Sequence, residues 1–325
     1  MTDLTTSFAG LALRNPIIIS SSGLSDSVEK NIKLTEAGAG AIVLKSLFEE
    51  QILLDTEQML DPTAYPEGND YLTEYVKHHK LGQYLDLIKG SKEKCTIPII
   101  ASVNCYSDSE WISFAKKIEE AGADAIEINI LAIQANTDYK YGEFEQKHID
   151  ILKHIKQTVQ IPIIMKLGEN LTNPIALIDQ LYANGADGIV LFNRFYQPDI
   201  DINKMRHVSG PVFSQRGSLS NSLRWVGIAS ATVPKIDYAA SGGVHTPEDL
   251  IKVLLAGASA VEVCSAIYKH GPAYVRELVS FLGTWMNANG FEKVSQFKGK
   301  LNSKTEQGVS KLERTQFLRY FSSRN

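Results

Sequence analysis

The sequence has little cysteine, no long apolar run and no excess of basic residues. Its three cysteines are too few and too scattered for a disulfide framework or a zinc site, which favours a reducing compartment. The net charge is −4 and no basic run stands out, so a nucleic-acid partner is not expected. The apolar runs fall far short of the about 18 residues that a membrane helix needs. The opening MTDLTTSFAG lacks the pattern of a signal peptide. We therefore expect a cytoplasmic protein with no metal site and no membrane segment.

The clearest pattern in the sequence is an internal repeat. Four segments have a glycine after a helical stretch and then a β-branched apolar run: EAGAGAIVLKS (36–46), EAGADAIEIN (120–129), ANGADGIVLFN (183–193) and LAGASAVEVCS (255–265). Glycine just past a helix end supplies a left-handed cap, and the run that follows is typical of a buried parallel strand. Four further strands are predicted between them, in NPIIISSSG (15–23), IPIIASVN (97–104), IPIIMKLGEN (161–170) and IDYAASGG (236–243).

Eight strands that alternate with helix-length stretches predict a (β/α)₈ TIM barrel, with residues 1–325 as a single domain. The alternative is an open α/β sheet. The barrel is favoured because the alternation is regular and no dinucleotide-type glycine loop follows the first strand. Amphipathic helices are predicted at 108–121, 145–159 and 247–256, the last with an N-cap at Thr246 and proline in its first turn.

Three features outside the repeat complete the predicted architecture. The first thirteen residues alternate in polarity and predict a hairpin at the end of the barrel opposite the site. Long connections follow the second strand, from Phe48 to about Asp70, and the sixth strand, from about Arg194 to Ser218. Loops after strands lie at the C-terminal face, where barrel enzymes build their active sites.

Polar residues stand at the C-terminal ends of all eight predicted strands. In chain order these are Ser21, Ser22 and Gly23; Lys45 and Ser46; Asn104; Asn129; Lys166; Asn193 and Arg194; Ser241, Gly242 and Gly243; Cys264 and Ser265. Because the strand bodies are apolar, this convergence of hydrogen-bonding groups predicts a ligand site.

The residue types suggest what that ligand is. Glycines after the seventh strand, beside Cys264-Ser265, favour a backbone site for phosphate over a mere tight turn. Lys45 and Lys166 each end an apolar strand, where a lysine needs an anion or acceptor; alternatively, either is a surface lysine with its ammonium in water. The three asparagines at strand ends suit a planar heterocycle, although a single one would serve equally well as a loop cap.

Taken in order, these segments resemble the dihydroorotate dehydrogenase family over nearly the whole chain. The likeness rests on LTTSFAGLALRNPIIISSSG, VLKS, IEIN, IIMKL, ASGGVHTPEDLIKVLLAGASAVEVCSAIYKHGPAYV and MNANGFEKVSQFKGKLN. The resemblance implies noncovalent flavin mononucleotide (FMN) and oxidation of dihydroorotate to orotate in pyrimidine biosynthesis. It also implies a soluble class-1-like homodimer. The cofactor residues that it implies are Ser21, Ser22, Gly23, Lys45, Ser46, Asn104, Asn129, Lys166, Ser220, Gly242, Gly243, Cys264 and Ser265.

The substrate side departs from the family pattern. The family's strand-four asparagine leads into an Asn-x-Ser-Cys-Pro-Asn type loop that carries a cysteine or serine base, whereas Ala132 stands at that position here. The family's asparagine-containing loop is also absent from 48–71, and Arg194 replaces a small hydroxyl residue. The remaining candidates for a base are Cys105, Asp138, Tyr139 and Tyr141. Asn193 and Arg194 are predicted to bind the substrate.

Three alternatives remain, the first two because of this mismatch and the third because of the phosphate site. The chain is an FMN-dependent enzyme for another small carboxylated substrate, which Arg194 pairs in a bidentate fork. It is a non-catalytic FMN-binding subunit. Or it is a phosphate-ester barrel without flavin, in which the paired strand-end lysines hold a second phosphate. The electron acceptor, which in the family is fumarate, NAD through an iron–sulfur flavoprotein partner or another compound, is left open by the sequence.

Overall fold

A computed structural model describes residues 2–48, 66–104, 111–195, 197–304 and 312. The strands in these ranges are β1 Thr6–Phe8, β2 Leu11–Leu13, β3 Ile17–Ile19, β4 Ala41–Val43, β5 Leu47–Phe48, β6 Ile99–Asn104, β7 Ala125–Asn129, β8 Ile163–Gly168, β9 Gly188–Asn193, β10 Pro198–Asp201, β11 Arg206–Ser209, β12 Asp237–Ser241 and β13 Ala260–Val263. The helices are α1 Val28–Glu36, α2 Pro66–Lys94, α3 Trp111–Glu120, α4 Glu143–Lys156, α5 Pro174–Ala183, α6 Leu219–Thr232, α7 Pro247–Ala256, α8 Ser265–His270 and α9 Tyr274–Ala288.

Eight parallel strands form a closed barrel. The hydrogen-bonded order is β4, β3, β13, β12, β9, β8, β7, β6, and pairing of β4 with β6 closes the ring. All eight predicted strands are present, so the barrel prediction is confirmed and the open-sheet alternative is wrong. The short β5 adds to β6 beyond the second barrel strand. Strands such as β3 and β4 are buried at every position, as expected for strands covered by helices on one side and by the barrel interior on the other.

Helix boundaries follow the capping signals in the sequence. The predicted bounds of α7 are confirmed, and at its start the carboxylate of Asp249 accepts from the backbone N–H of Thr246 at 3.1 Å. Helix α4 begins two residues earlier than predicted, after Gly142 in a left-handed conformation, and ends earlier, at Lys156. The predicted start of α3, at residue 108, lies outside the described residues.

The N-terminal hairpin of β1 and β2 closes the end of the barrel at which the strands begin. Phe8, Ala9 and Leu13 pack against the first inward-facing residues of the barrel strands. The approach is close at Gly188, where an added Cβ would lie 2.9 Å from the Cβ of Ala9. The predicted hairpin and its location are therefore confirmed.

The two long connections follow the second and sixth barrel strands, as predicted. The first connection includes β5, and its residues 49–65 lie outside the described part. It ends at Pro66, where α2 begins, a few residues before the predicted end near Asp70. The second contains the antiparallel hairpin of β10 and β11. No helix in the described ranges is long and apolar enough to cross a membrane.

Candidate functional site

A polar layer lies directly above the apolar interior of the barrel. The lower interior layer contains Ile18, Ile100, Ala125, Ile164, Ala239 and Ala260. Successive side chains of a strand alternate between faces, so the residue two positions further along shares the inner face. Those residues are Ser20, Ser102, Glu127, Lys166, Ser241 and Glu262, all of them buried. We call them the interior polar layer.

Three charged side chains meet in this layer. The Nζ of Lys166 lies 2.6 Å from Oε2 of Glu262 and 3.4 Å from Oε1 of Glu127. It also donates to the hydroxyl of Ser20, which itself donates to Glu262 at 2.8 Å. The relative exposures are 5% for Lys166, 0% for Glu127 and 2% for Glu262. The anion that a buried Lys166 requires is thus supplied by the protein.

The three pKa values are displaced in different directions. Burial and the neighbouring Glu262 raise the pKa of Glu127 well above its usual range. Burial alone would also raise the pKa of Glu262, but contact with Lys166 leaves it lowered. Burial alone would lower the pKa of Lys166, and the two carboxyl groups more than offset this and raise it. The cluster is therefore a Lys166–Glu262 ion pair beside a Glu127 that favours its protonated form.

Three adjoining cavities open above the interior polar layer. One of about 170 Å³ lies over β3, β4 and β6, one of about 180 Å³ lies beside β12 and β13, and one of about 400 Å³ extends towards α6. Asn193 lines all three, so they form one site. The predicted residues along them are Ser21, Ser22, Gly23, Lys45, Ser46, Asn104, Asn129, Lys166, Asn193, Arg194, Gly242, Gly243, Cys264 and Ser265.

Ser220 is the predicted cofactor residue that does not line these cavities. Its side chain is exposed, and its hydroxyl donates to the carbonyl of Gly217. Its neighbours Ser218, Asn221 and Ser222 line the largest cavity instead. Ser218 directly precedes α6, and Asn221 and Ser222 lie in its first turn.

Hydroxyl and amide groups form a continuous chain beneath the smallest cavity. The Oγ of Ser46 lies 2.9 Å from that of Ser21 and 2.7 Å from that of Ser102. The amide of Asn129 donates to Ser102 and accepts from the amide of Asn193. These side chains come from five strand ends and hold one another in fixed orientations.

The glycines after β12 have the backbone geometry expected of an anion site. Gly242 and Gly243 have φ values of 90° and 78°. A Cβ on Gly243 would lie 2.2 Å from the backbone nitrogen of Leu219, so this turn packs directly on the start of α6. Nearby, the hydroxyl of Ser265 accepts from the backbone N–H of Ser214. Successive N–H groups in left-handed turns bind anions such as phosphate.

The remaining predicted cations differ in their surroundings. Lys45 is exposed, and its ammonium has no partner among the described residues. Arg194 is half-buried and donates through one nitrogen to the carbonyl of Pro211. A guanidinium has five N–H donors, and this is the one side-chain contact of Arg194 among the described residues, so its other donors are open to a ligand within that part of the chain.

The candidate bases are scattered. Cys105 lies outside the described residues. The hydroxyl of Tyr139 bonds to Glu145 and to the backbone N–H of Phe144, at the start of α4. Tyr141 and Asp138 are exposed and line none of the three cavities.

Ala132 is half-buried, and its carbonyl accepts from Asn170. At the end of β13, burial raises the pKa of Cys264. Raising that pKa disfavours the thiolate form that would act as a base.

Glu127 and Glu262 were missed at the sequence level. Each is a single carboxylate within an apolar strand, in AIEIN and AVEVC, and such an interruption is the only signal available. Strand periodicity does not tell which face of a two-sided buried strand is the barrel interior. Within the described ranges, no three histidine, cysteine or acidic side chains are grouped as metal ligands.

A closed parallel barrel with a polar, glycine-containing cleft at its C-terminal face is the arrangement of TIM-barrel enzymes. The dihydroorotate dehydrogenase family model matches residues 3–286, and the chain belongs to that family. Membership makes it one of a group of oxidoreductases that act on CH–CH bonds, as the resemblance had implied.

Individual relatives agree with this assignment. The chain is 30% identical over 316 residues to the dihydroorotate dehydrogenase B (NAD(+)) catalytic subunit of Thermoplasma volcanium, which covers 92% of this chain and 98% of that protein. It is 25% identical over 321 residues to the NAD-dependent dihydropyrimidine dehydrogenase subunit PreA of Escherichia coli K12, covering 93% and 77%. The crystal structure of DHODH from Eimeria tenella with ferulenol has a TM-score of 0.66 at 17% identity, covering 92% and 88%, and supports the fold.

Proposed function

We propose that the protein uses FMN to interconvert a dihydropyrimidine and its unsaturated form, with dihydroorotate and orotate as the first pair to test. The observation that carries this proposal is the single cleft that joins the Gly242-Gly243 turn to the amide-rich strand ends around Asn129. Its two ends suit the two parts of FMN, a phosphate and a flat heterocycle. The family membership and the names of the relatives agree with this choice.

The donor set of the site fits FMN. At one end, the N–H groups of the two left-handed glycines and of Ser265 would hold the phosphate. At the other end, Lys45, Ser46 and Asn104 would surround the ring. When bound, FMN supplies a two-electron centre that takes up or gives back a hydride. Lys166 is already paired with Glu262, so of the two lysines at this end of the cleft, Lys45 is the one that would stabilise a developing negative charge on a ligand.

The substrate would occupy the space around Asn193 and Arg194. Asn193 accepts from the backbone N–H of Arg194 and donates to Asn129, so its amide orientation is fixed. The guanidinium donors of Arg194 that have no partner among the described residues would bind a carboxylate on the substrate. This contact orients the ring of a carboxylated dihydropyrimidine above the strand ends.

A visible spectrum of the purified protein, followed by anaerobic dihydroorotate, tests the proposal. We expect a flavin band that bleaches, and mass spectrometry of the released cofactor should give FMN. A colourless protein that does not take up added FMN would refute the proposal and favour the phosphate-ester barrel.

A persistent flavin band would mean a different substrate or a non-catalytic subunit. Anaerobic titration with 5,6-dihydrouracil, which lacks the carboxylate of dihydroorotate, separates these two cases. Bleaching by dihydrouracil alone indicates a substrate without a carboxylate, and bleaching by neither favours the subunit. We also propose that the protein is a homodimer, which sedimentation velocity tests, and that it acts in pyrimidine biosynthesis.

A further inference from the structure

The interior polar layer holds two carboxyl groups for one cation. Glu127 and Glu262 face Lys166 in a region where all three side chains are at least nine-tenths buried. If both carboxyl groups were ionised, the layer would carry an uncompensated negative charge away from water, which is costly. One proton shared with the pair removes that charge.

The geometry favours Glu127 over Glu262 as the site of this proton. Glu262 has the short contact to Lys166 and a second donor in Ser20, both of which stabilise its carboxylate. The donors to Glu127 all lie at 3.4 Å from Oε1 and are thus weak, and Oε2 has no donor within reach among the described residues. A neutral carboxylic acid tolerates this environment better than a carboxylate does.

Hydroxyl groups connect Glu127 to the cleft. Oε1 of Glu127 lies 3.4 Å from the Oγ of Ser102, and from there two short contacts of 2.7 and 2.9 Å lead onward. We call these three hydroxyls the serine chain: Ser102, Ser46 and Ser21. The last two line the smallest cavity. A hydroxyl can donate one hydrogen bond while it accepts another, so the serine chain can transfer a proton.

Neighbouring side chains restrain Ser102, the serine of the chain that contacts Glu127. Ser102 accepts a hydrogen bond from the amide of Asn129, so its own proton is directed towards Glu127 or Ser46. Tyr84 fixes the backbone of Ser102 by accepting from its N–H and donating to its carbonyl. Both neighbours therefore orient the hydroxyl for transfer.

We propose that Glu127 stores a proton and exchanges it with the bound substrate through the serine chain. This inference rests on the proposed function, and it answers why the family's base position holds Ala132. For reduction of the C=C bond, bound FMN would supply a hydride to one carbon, and Ser21 would give its proton to the adjacent carbon.

The remaining transfers restore the chain. Ser21 is reprotonated along the serine chain, Glu127 is left as a carboxylate, and solvent returns its proton after the product leaves. Oxidation of the C–C bond runs every transfer in reverse and starts from ionised Glu127.

Infrared spectroscopy of the purified protein without substrate tests the storage step. A protonated carboxylic acid has a carbonyl band separate from the bands of amides and carboxylates. We expect this band at neutral pH and expect Glu127→Gln to remove it. A spectrum in which Glu127→Gln changes no carboxylic-acid band would overturn the proposal.

Hydrogen–deuterium exchange tests the chain. After transfer to D₂O, the band of Glu127 should shift at a rate that Ser102→Ala slows by about tenfold or more, as an added barrier of about 1.4 kcal/mol does. Ser46→Ala breaks the chain one step nearer the cleft and guards against misfolding of the first variant. Ser25→Ala is the control, since Ser25 is equally buried but donates only to backbone carbonyls. Equal exchange rates in all four proteins would overturn the chain.

These readouts separate this proposal from the proposed function. If the wild type binds no flavin or oxidises no dihydropyrimidine, the function fails while the infrared results still decide where the proton resides. If the wild type turns over, Glu127→Gln should lower the single-turnover rate by about 10²-fold. A rate equal to that of the wild type would overturn the catalytic part and favour another base, such as the exposed Glu169 at the edge of the cleft.

Discussion

Replacing Lys166 with methionine should reveal how the interior polar layer is stabilised. Lys166→Met keeps most of the side-chain volume but leaves Glu127 and Glu262 with one shared proton and an unpaired buried charge. Breaking a buried ion pair on one side costs about 3–5 kcal/mol. That loss is a large part of a domain stability of about 5–15 kcal/mol.

The double variant Lys166→Met/Glu262→Gln distinguishes the lost charge pairing from lost packing. It removes the unpaired carboxylate, so it should recover most of the loss and return to within about 1–2 kcal/mol of the wild type. Urea unfolding at pH 7, followed by two probes and checked for an unchanged m value, measures each free energy. If the double variant is no more stable than Lys166→Met alone, the interpretation of the cluster as an ion pair is wrong.

Lys156→Met provides the matched control. Lys156 pairs with Asp187 at 3.0 Å, but both side chains are about one-quarter to one-third exposed, at 26% and 36%. A pair in contact with water contributes about 0–1 kcal/mol. The contrast between the two lysines therefore tests burial rather than the general effect of removing a lysine. If Lys166→Met accumulates no folded protein, soluble yield of the double variant gives the same comparison.

Three further outcomes are expected. The pKa of Glu127 in the folded protein is raised above its ordinary value of 4.5, so the stability that its neutral form contributes is complete below pH 4.5 and is lost as pH rises towards the folded pKa. Glutamine does not ionise, so the urea midpoint of Glu127→Gln should increase relative to that of the wild type as pH rises. Gly243→Ala should lower the free energy of unfolding and weaken FMN binding, since its Cβ would overlap the backbone of Leu219. Gly271→Ala is the control: it has φ 81° and open space around it, so it should lose only about 1–2 kcal/mol of unfolding free energy. Equal losses in the two variants would contradict this reasoning. Alkylation of Cys264 should be slow at pH 7 and accelerate at higher pH than for a free thiol, because burial raises its pKa.

The barrel was predictable because its signals are local. A glycine after a helix and a short apolar run mark a strand independently of any distant residue, and eight such units admit few architectures. The same applies to α7, where Thr246 and Pro247 fix the start of the helix within one turn. The N-terminal hairpin was predictable from its alternating polarity.

The site was predictable only at the strand ends. A polar residue that terminates an apolar strand stands out in the sequence, and most of those residues line the cleft. The contact of Lys166 with Glu262 depends on the closure of the ring, across 96 residues, and no local pattern encodes it. Sequence reasoning therefore identified the lysine but not the partner that neutralises it. Of the two lysines predicted to lie at the cofactor, Lys45 is the one without an ion-pair partner among the described residues.

The hairpin of β1 and β2 has a consequence for how the interior exchanges with solvent. Phe8 and Ala9 cover the end of the barrel at which the strands begin and pack against Gly188, whereas the cavities that reach Lys166 and Glu262 open at the other end. A ligand that fills the cleft would cover these groups from the other side. If Glu127 stores a proton as proposed, closure at both ends would favour exchange of that proton with the ligand over exchange with bulk solvent. A segment at the opposite end of the molecule would thus contribute to proton transfer at the site.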